Sequence, residues 1–278
     1  MLHIDRKRIC FYSSMFEGRS SAWEIAEFAV KKGVGGIELM NFCDELESPD
    51  MTEALKIGKY AKENGLALPC FSVGVNLYSE KSRRERIGML RAYADICAAL
   101  EIPYLHHTTI SYLEPEKLTK PTDEMIKIAV DASLEVAEYA NSLGVSTIVE
   151  NQGFVVNGIE NYGAFIGGTD NRVGVLLDVG NMMFADENAE KYSYAFADRA
   201  RHIHIKDYIK SETGSHRTKA GNYIEDCEIG IGDIDLNKIV NKLEESGYNG
   251  FYSLEFVGVK DEAEVDRVLS RMENGFSK

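Results

Sequence analysis

Short apolar, β-branched runs alternate with longer amphipathic stretches from one end of this sequence to the other, eight times over. The runs Arg8–Phe16, Gly36–Met40, Ala67–Val75, Ile102–Thr108, Val145–Glu150, Val173–Asp178, His202–Lys206 and Phe251–Phe256 have the length and composition of buried parallel strands. Helical patterns follow them at Ala22–Lys32, Thr52–Asn64, Arg83–Leu100, Asp123–Leu143, Gly158–Thr169, Ala189–Ala200, Leu236–Ser246 and Glu262–Asn274. The fifth of these is short and weakly patterned. Ser20 or Ser21 and Thr122 supply N-caps; Gly33, Gly65, Gly144 and Gly247 supply stops. Such alternation gives a parallel sheet with crossover helices, and eight units favour closure. The expected fold is α/β, a single (β/α)8 TIM barrel, and 278 residues suit one such domain spanning the whole chain. The longest irregular segment, Asp207–Asp235, is polar and glycine-bearing and lies on the face where a lid would sit.

Charge narrows the partners. The net charge is −14, which disfavours nucleic acid and anionic membrane surfaces, since phosphate backbones demand clustered Lys and Arg. The strongest basic run, Lys81 to Arg86, is balanced by Glu80 and Glu85 and suits a solvated helix face. The five cysteines (Cys10, Cys43, Cys70, Cys97, Cys227) form no C-x-x-C pair and suit reduced thiols, with Cys10 and Cys70 in the core. No apolar run is long enough to span a membrane, and the charged N-terminus has no signal-peptide core behind it. These features lead to the expectation of a cytoplasmic protein acting on a small molecule.

Four successive strands of the second half each end in a group that can bind a metal: Glu150, Asp178, His204 and Glu255. In a (β/α)8 barrel the C-terminal strand ends carry the chemistry. A lone Glu at a strand end is usually solvated, and a lone His near a strand is usually a hydrogen-bonded core residue. Four such groups on four consecutive strands point instead to one shared cation. Strand alternation then turns Ile148, Leu176 and Ser253 inward as well, a mostly small or apolar set. His202 has the same parity as His204 but lies about 6–7 Å deeper, and suits a buried hydrogen bond to Ser253. Three carboxylates and one imidazole suit Mn2+, Mg2+ or Co2+ and tolerate Zn2+, one ion in all.

Further candidates surround this quartet. Lys206 shares the parity of His204 and could hold a substrate oxygen or phosphate, or pair with Asp178 or Asp207. Glu38 ends the second strand, where it could hold a substrate hydroxyl or play a structural part. His106 and His107 end the fourth; one must face the rim, and His107 is taken as the substrate-binding candidate. Asn181 could bond substrate or cap the helix after the sixth strand. Tyr12 or Phe11 could stack on substrate, whereas Trp23 suits packing.

At these residues the chain resembles the xylose isomerase-like (β/α)8 superfamily of sugar isomerases, epimerases and endonuclease IV. The motifs are Gly36-Ile-Glu-Leu39, Val149-Glu-Asn151, Leu177-Asp-Val-Gly-Asn181, His202-Ile-His-Ile-Lys-Asp207, Gly230-Ile-Gly-Asp-Ile-Asp235 and Gly247-Tyr-Asn-Gly250 leading to Glu255. The resemblance implies that Glu150, Asp178, His204 and Glu255 hold the metal, as in the single-metal ketose 3-epimerases. It implies that Glu150 and Glu255 double as acid and base through an enediolate. Endonuclease IV and two-metal xylose isomerase both want a His at the position of Asn181, and further paired ligands after the seventh strand where the loop offers only His216. Free-ketose 3-epimerases want that His too, and an Arg where Lys210 stands. The Asp-Val-Gly-Asn form is nearer the pentulose-phosphate 3-epimerases. The expected substrate is a sugar or sugar phosphate, with homodimers or homotetramers common in the family. An inosose-dehydratase-like lyase on the same site is the main alternative, an endonuclease IV-like hydrolase the lesser one.

Overall fold

The barrel closes. In the computed structural model, residues 3–12, 21–111, 117–256, 259 and 261–276 are described. The strands are β1 (Ile9–Tyr12), β2 (Gly36–Met40), β3 (Cys70–Val73), β4 (Tyr104–His107), β5 (Ser146–Glu150), β6 (Gly174–Asp178) and β7 (Ala200–Ile205). After them come β8 (Tyr208–Ser211), β9 (His216–Arg217), β10 (Tyr223–Asp226) and β11 (Tyr252–Leu254). Hydrogen bonding runs β1-β11-β7-β6-β5-β4-β3-β2 and returns to β1, with parallel neighbours throughout. The outer layer is α1 (Ala22–Lys32), α2 (Met51–Glu63), α3 (Glu80–Leu100), α4 (Thr122–Ser142), α5 (Ile159–Gly168), α6 (Ala189–Phe196), α7 (Leu236–Glu245) and α8 (Glu262–Asn274). The expected (β/α)8 architecture is therefore the observed one.

Local chemistry explains the helix ends. Asp50, Asn188, Asp235 and Asp261 each accept a backbone N–H of the first turn of α2, α6, α7 and α8. Gly33 stops α1 in the left-handed conformation, at φ 69°. Ser21 stands at the N-cap of α1, while Ser20 and the expected strand residues 13–16 lie outside the described residues. Thr122 is the first helical residue of α4, behind Pro121 at the cap position. In α7, buried Leu236, Ile239, Val240 and Leu243 repeat at helical spacing and face the barrel.

Two cores result. Outward-facing strand residues such as Phe11, Ile37, Leu39, Phe71, Leu105, Val149, Leu177 and Ile203 pack under the helices, fully buried. Inside the barrel, Cys70, Ile148 and Leu176 form a small apolar layer against Tyr104. Above it the interior is polar: Glu38, Ser72, His202 and Ser253 are at most 2% exposed. The expectation of a mostly small or apolar interior therefore holds only for the lower layer. The polar layer is tolerated because its members bond one another.

The segment after β7 also departs from expectation. In place of irregular chain, β8, β10 and β9 form an antiparallel sheet in that order, with Ile224 of β10 opposite Lys210 and His216. Strands of two to four residues carry too little alternation to stand out in a polar sequence. Among the described residues, no helix is long and apolar enough to cross a membrane.

Candidate functional site

Adjacent strands deliver the quartet to one point. Glu150 ends β5, Asp178 ends β6, His204 is the penultimate residue of β7, and Glu255 directly follows β11. The Glu255 N–H donates to Ile205 O (3.0 Å), which carries the barrel ladder one residue past the strand. One ligand atom from each of the four residues lies within 4.8 Å of all the others. His204 Nδ1 is 3.8 Å from Glu150 Oε2, 3.9 Å from Asp178 Oδ2 and 3.3 Å from Glu255 Oε2. Donors bound at about 2.1 Å around one cation stand roughly 3–4 Å apart, so the spacing fits a single ion.

The strongest mark of such a site is what these atoms lack. Asp178 Oδ2, His204 Nδ1 and Glu255 Oε2 are buried and make no well-aligned hydrogen bond; their near polar neighbours are one another and the Lys206 ammonium. Native proteins rarely leave such atoms bare. Asp178 Oδ1 accepts the N–H groups of Gly180 (2.8 Å) and Asn181 (2.7 Å), which turns Oδ2 to the centre. The Asn151 side chain bonds both the N–H and the C=O of Asp178, each at 3.1 Å, and so clamps β5 to β6. Glu255 Oε1 takes Lys206 Nζ at 2.8 Å. His204 Nε2 bonds Glu38 Oε1 at 2.9 Å.

Electrostatics follow from burial and from these partners. Burial pushes Asp178 up to about 7 against the pull of Lys206, and raises Glu150 as well. Burial would also raise Glu255, but Lys206 and His204 outweigh it and hold that carboxyl below the usual range. Glu38, likewise enclosed, is held well below the usual range by the charges and hydrogen bonds of His204 and His202. Burial works against charge on Lys206, and the carboxylates of Asp178 and Glu255 overcome it.

The remaining candidates fall into two groups. Lys206 and Asn181 stand at the mouth: Lys206 Nζ is 3.1 Å from Asp178 Oδ2, and Asn181 Nδ2 donates to Glu150 Oε2 at 3.1 Å. Both line a cavity of ≈ 520 Å³ walled by Phe154, Phe184 and Tyr208. Gly180 permits this, because a Cβ there would collide with the Lys206 stem. Tyr12 also faces the centre, edge-on to His204 with centroids 5.1 Å apart, while Phe11 packs outward on Phe28.

Glu38 takes the structural one of its two expected parts, and His107 is placed otherwise than expected. Glu38 is fully buried beneath the quartet, where it bonds His202 (2.7 Å) and His204, so its oxygens are spent on protein and not on a substrate hydroxyl. His106, not His107, faces the centre, because successive strand residues point to opposite faces. His106 Nδ1 meets Ser72 Oγ at 2.8 Å and its Nε2 lies 3.6 Å from Glu150 Oε1. His107 is turned away, and its Nδ1 donates to Thr108 O at 3.0 Å. His202 bonds Ser253 Oγ at 3.0 Å, the contact its parity suggested. Ser72 carries no chemical signature in the sequence; only its parity with Cys70 could have placed it inside.

Comparison with known proteins agrees with this architecture. Inosose dehydratases of Clostridium perfringens are 25% identical over 92 residues, a match spanning 31% of this chain and 31% of their length. The inosose dehydratase of Geobacillus kaustophilus is 25% identical over 210 residues, 69% of this chain and 68% of the relative. Among solved structures, a D-psicose 3-epimerase of Clostridium cellulolyticum H10, with D-tagatose, superposes with a TM-score of 0.74 at 18% identity. That match covers 98% of this chain and 96% of the other. The IOLI protein with a zinc atom superposes with a TM-score of 0.75 at 18% identity, covering 96% and 99%. Residues 26–274 match the family described as xylose isomerase-like TIM barrel, to which this chain belongs.

Proposed function

We propose that the chain is a metal-dependent sugar or sugar-phosphate isomerase or epimerase that moves a proton next to a carbonyl. The observation that carries this is the meeting of three buried ligand atoms that make no well-aligned hydrogen bond, from Asp178, His204 and Glu255, beside the Glu150 carboxylate. Their donor set suits one Mn2+, Mg2+, Co2+ or Zn2+ ion. A divalent cation held there supplies Lewis-acid polarisation of a carbonyl and compensation of the charge that develops on it. Glu150 and Glu255 come from opposite sides of the quartet's centre, β5 and the end of β11. One carboxylate takes the proton from the carbon beside the carbonyl, leaving an enediolate, and the conjugate acid of the other returns a proton to the opposite face. Lys206 and Asn181 orient substrate oxygens at the mouth.

The relatives support a second reading on the same residues. The longest of the relative matches described above is to an inosose dehydratase, and elimination of water also begins with removal of a proton beside a carbonyl. Assaying ketopentoses, their phosphates and inososes with Mn2+ in deuterated water separates the two: deuterium entering at carbon without loss of water marks the epimerase. Glu150→Gln and Glu255→Gln should each lower turnover by at least about 10³-fold while circular dichroism stays unchanged. Near-normal rates in either variant would remove the two-glutamate mechanism.

A further inference from the structure

Glu38 is a fully buried charge inside the barrel, and every bond it makes has one possible direction. Its carboxylate can only accept. Oε1 receives His204 Nε2 at 2.9 Å and the Ser72 hydroxyl; Oε2 receives His202 Nε2 at 2.7 Å and Ser253 Oγ at 2.5 Å. Ser72 has a single hydroxyl hydrogen, and that hydrogen is committed to Glu38. Ser72 Oγ must then accept from its other neighbour, so His106 Nδ1, 2.8 Å away, carries a proton. With Nδ1 protonated, a second proton on Nε2 would be a buried donor with no hydrogen-bond partner, so Nε2 is left bare. That atom is buried, has no hydrogen-bond partner, and sits 3.6 Å from Glu150 Oε1 at the candidate centre.

We infer that Glu38 is a positioning residue that fixes the proton map of the site: it commits His204 to present Nδ1 to the cation and, through Ser72, commits His106 to present a bare Nε2 to the substrate. The part concerning the cation rests on the function proposed above; the part concerning His106 does not. The consequence for specificity is direct. A bare Nε2 beside a carboxylate welcomes a hydroxyl, which can donate, and repels a carbonyl or phosphate oxygen, which can only accept. The substrate therefore places a hydroxyl, not its carbonyl or any phosphate, against His106 Nε2. For metal binding, a carboxylate behind an imidazole ligand fixes its orientation and raises its basicity.

Long-range 1H–15N correlation spectra of the full chain read the His106 tautomer, with and without Mg2+. A protonated Nδ1 and bare Nε2 in both states is the expected result; a protonated Nε2 overturns the inference. Ser72→Ala removes the relay and should leave His106 a mixture of tautomers, whereas an unaltered single tautomer would show that Glu38 does not reach it. Glu38→Gln places donor N–H groups where only acceptance is tolerated, and calorimetric Mn2+ affinity should fall about 10- to 100-fold. Wild-type affinity in a folded Glu38→Gln protein overturns the metal-side claim. Should that variant not fold, Mn2+ affinity is read in Glu38→Asp, whose shorter carboxylate no longer reaches His204 Nε2: a fall supports the metal-side claim and wild-type affinity overturns it. A wild-type chain that takes up no divalent cation would defeat the one-cation reading, and the metal-free His106 spectrum would still decide this one.

Discussion

His107 is enclosed on the outer side of β4, with Nε2 buried and unpartnered. Burial pushes its pKa from 6.5 down to about 4, with only the Thr108 carbonyl opposing the shift. Between those two values the unfolded chain takes a proton that the folded chain refuses. The contribution is present above pH 6.5, declines as pH falls toward 4, and amounts to about 3 kcal/mol across the window. Denaturant titrations of His107→Leu should show a shallower loss of stability over this range, by roughly one proton. A variant with the wild-type slope would assign that slope to other groups. The neighbouring His106 differs by one residue and faces the opposite side. Sequence shows that one of the two must face inward; which one is fixed by the register of β4 against β3, where Ser72 pairs with His106.

At the scale of an element, one side chain ties the start of the three-stranded sheet to the loop that leads into α7. Asp207 accepts the N–H groups of Tyr208 (3.0 Å), Gly230 (3.1 Å), Gly232 (2.8 Å) and Ile234 (3.3 Å). This gives the Gly230-Ile-Gly-Asp-Ile-Asp235 stretch its role: it wraps a buried carboxylate. A Cβ at Gly232 would strike Asp207 itself. Asp207→Ala leaves four backbone donors without their acceptor and should cost about 2–4 kcal/mol. Hydrogen exchange at the Gly230 and Gly232 amides should quicken in that variant, and unchanged protection would show that the loop is held otherwise. The motif was visible in the sequence, yet its partner was not, because the contact spans up to 27 residues of chain with no periodic signal.

For the whole molecule, the cost of the site is like-charge crowding. Glu150, Asp178 and Glu255 share one small space, with Lys206 as the neighbouring ammonium, in a chain of net charge −14. A cation bound only by the folded state stabilises it by mass action, about 2.7 kcal/mol at a hundredfold excess over the dissociation constant. Thermal melts should therefore rise by several degrees with Mn2+ relative to EDTA, and more than with a monovalent salt of equal ionic strength. Identical midpoints with Mn2+ and EDTA would count against a resident divalent ion.

The order of elements, the (β/α)8 closure and the four strand ends that meet at the mouth were all written locally. Apolar runs, helical spacing and caps act over a few residues, and eight repeats of one unit leave little topological choice. The polar layer beneath the mouth was settled only by closure. Glu38 bonds His202 across 164 residues and Ser253 across 215, and no local pattern encodes which buried groups will face one another. Strand alternation decides which side chains point inward; the stagger between strands, which exists only once the barrel forms, decides which of them touch.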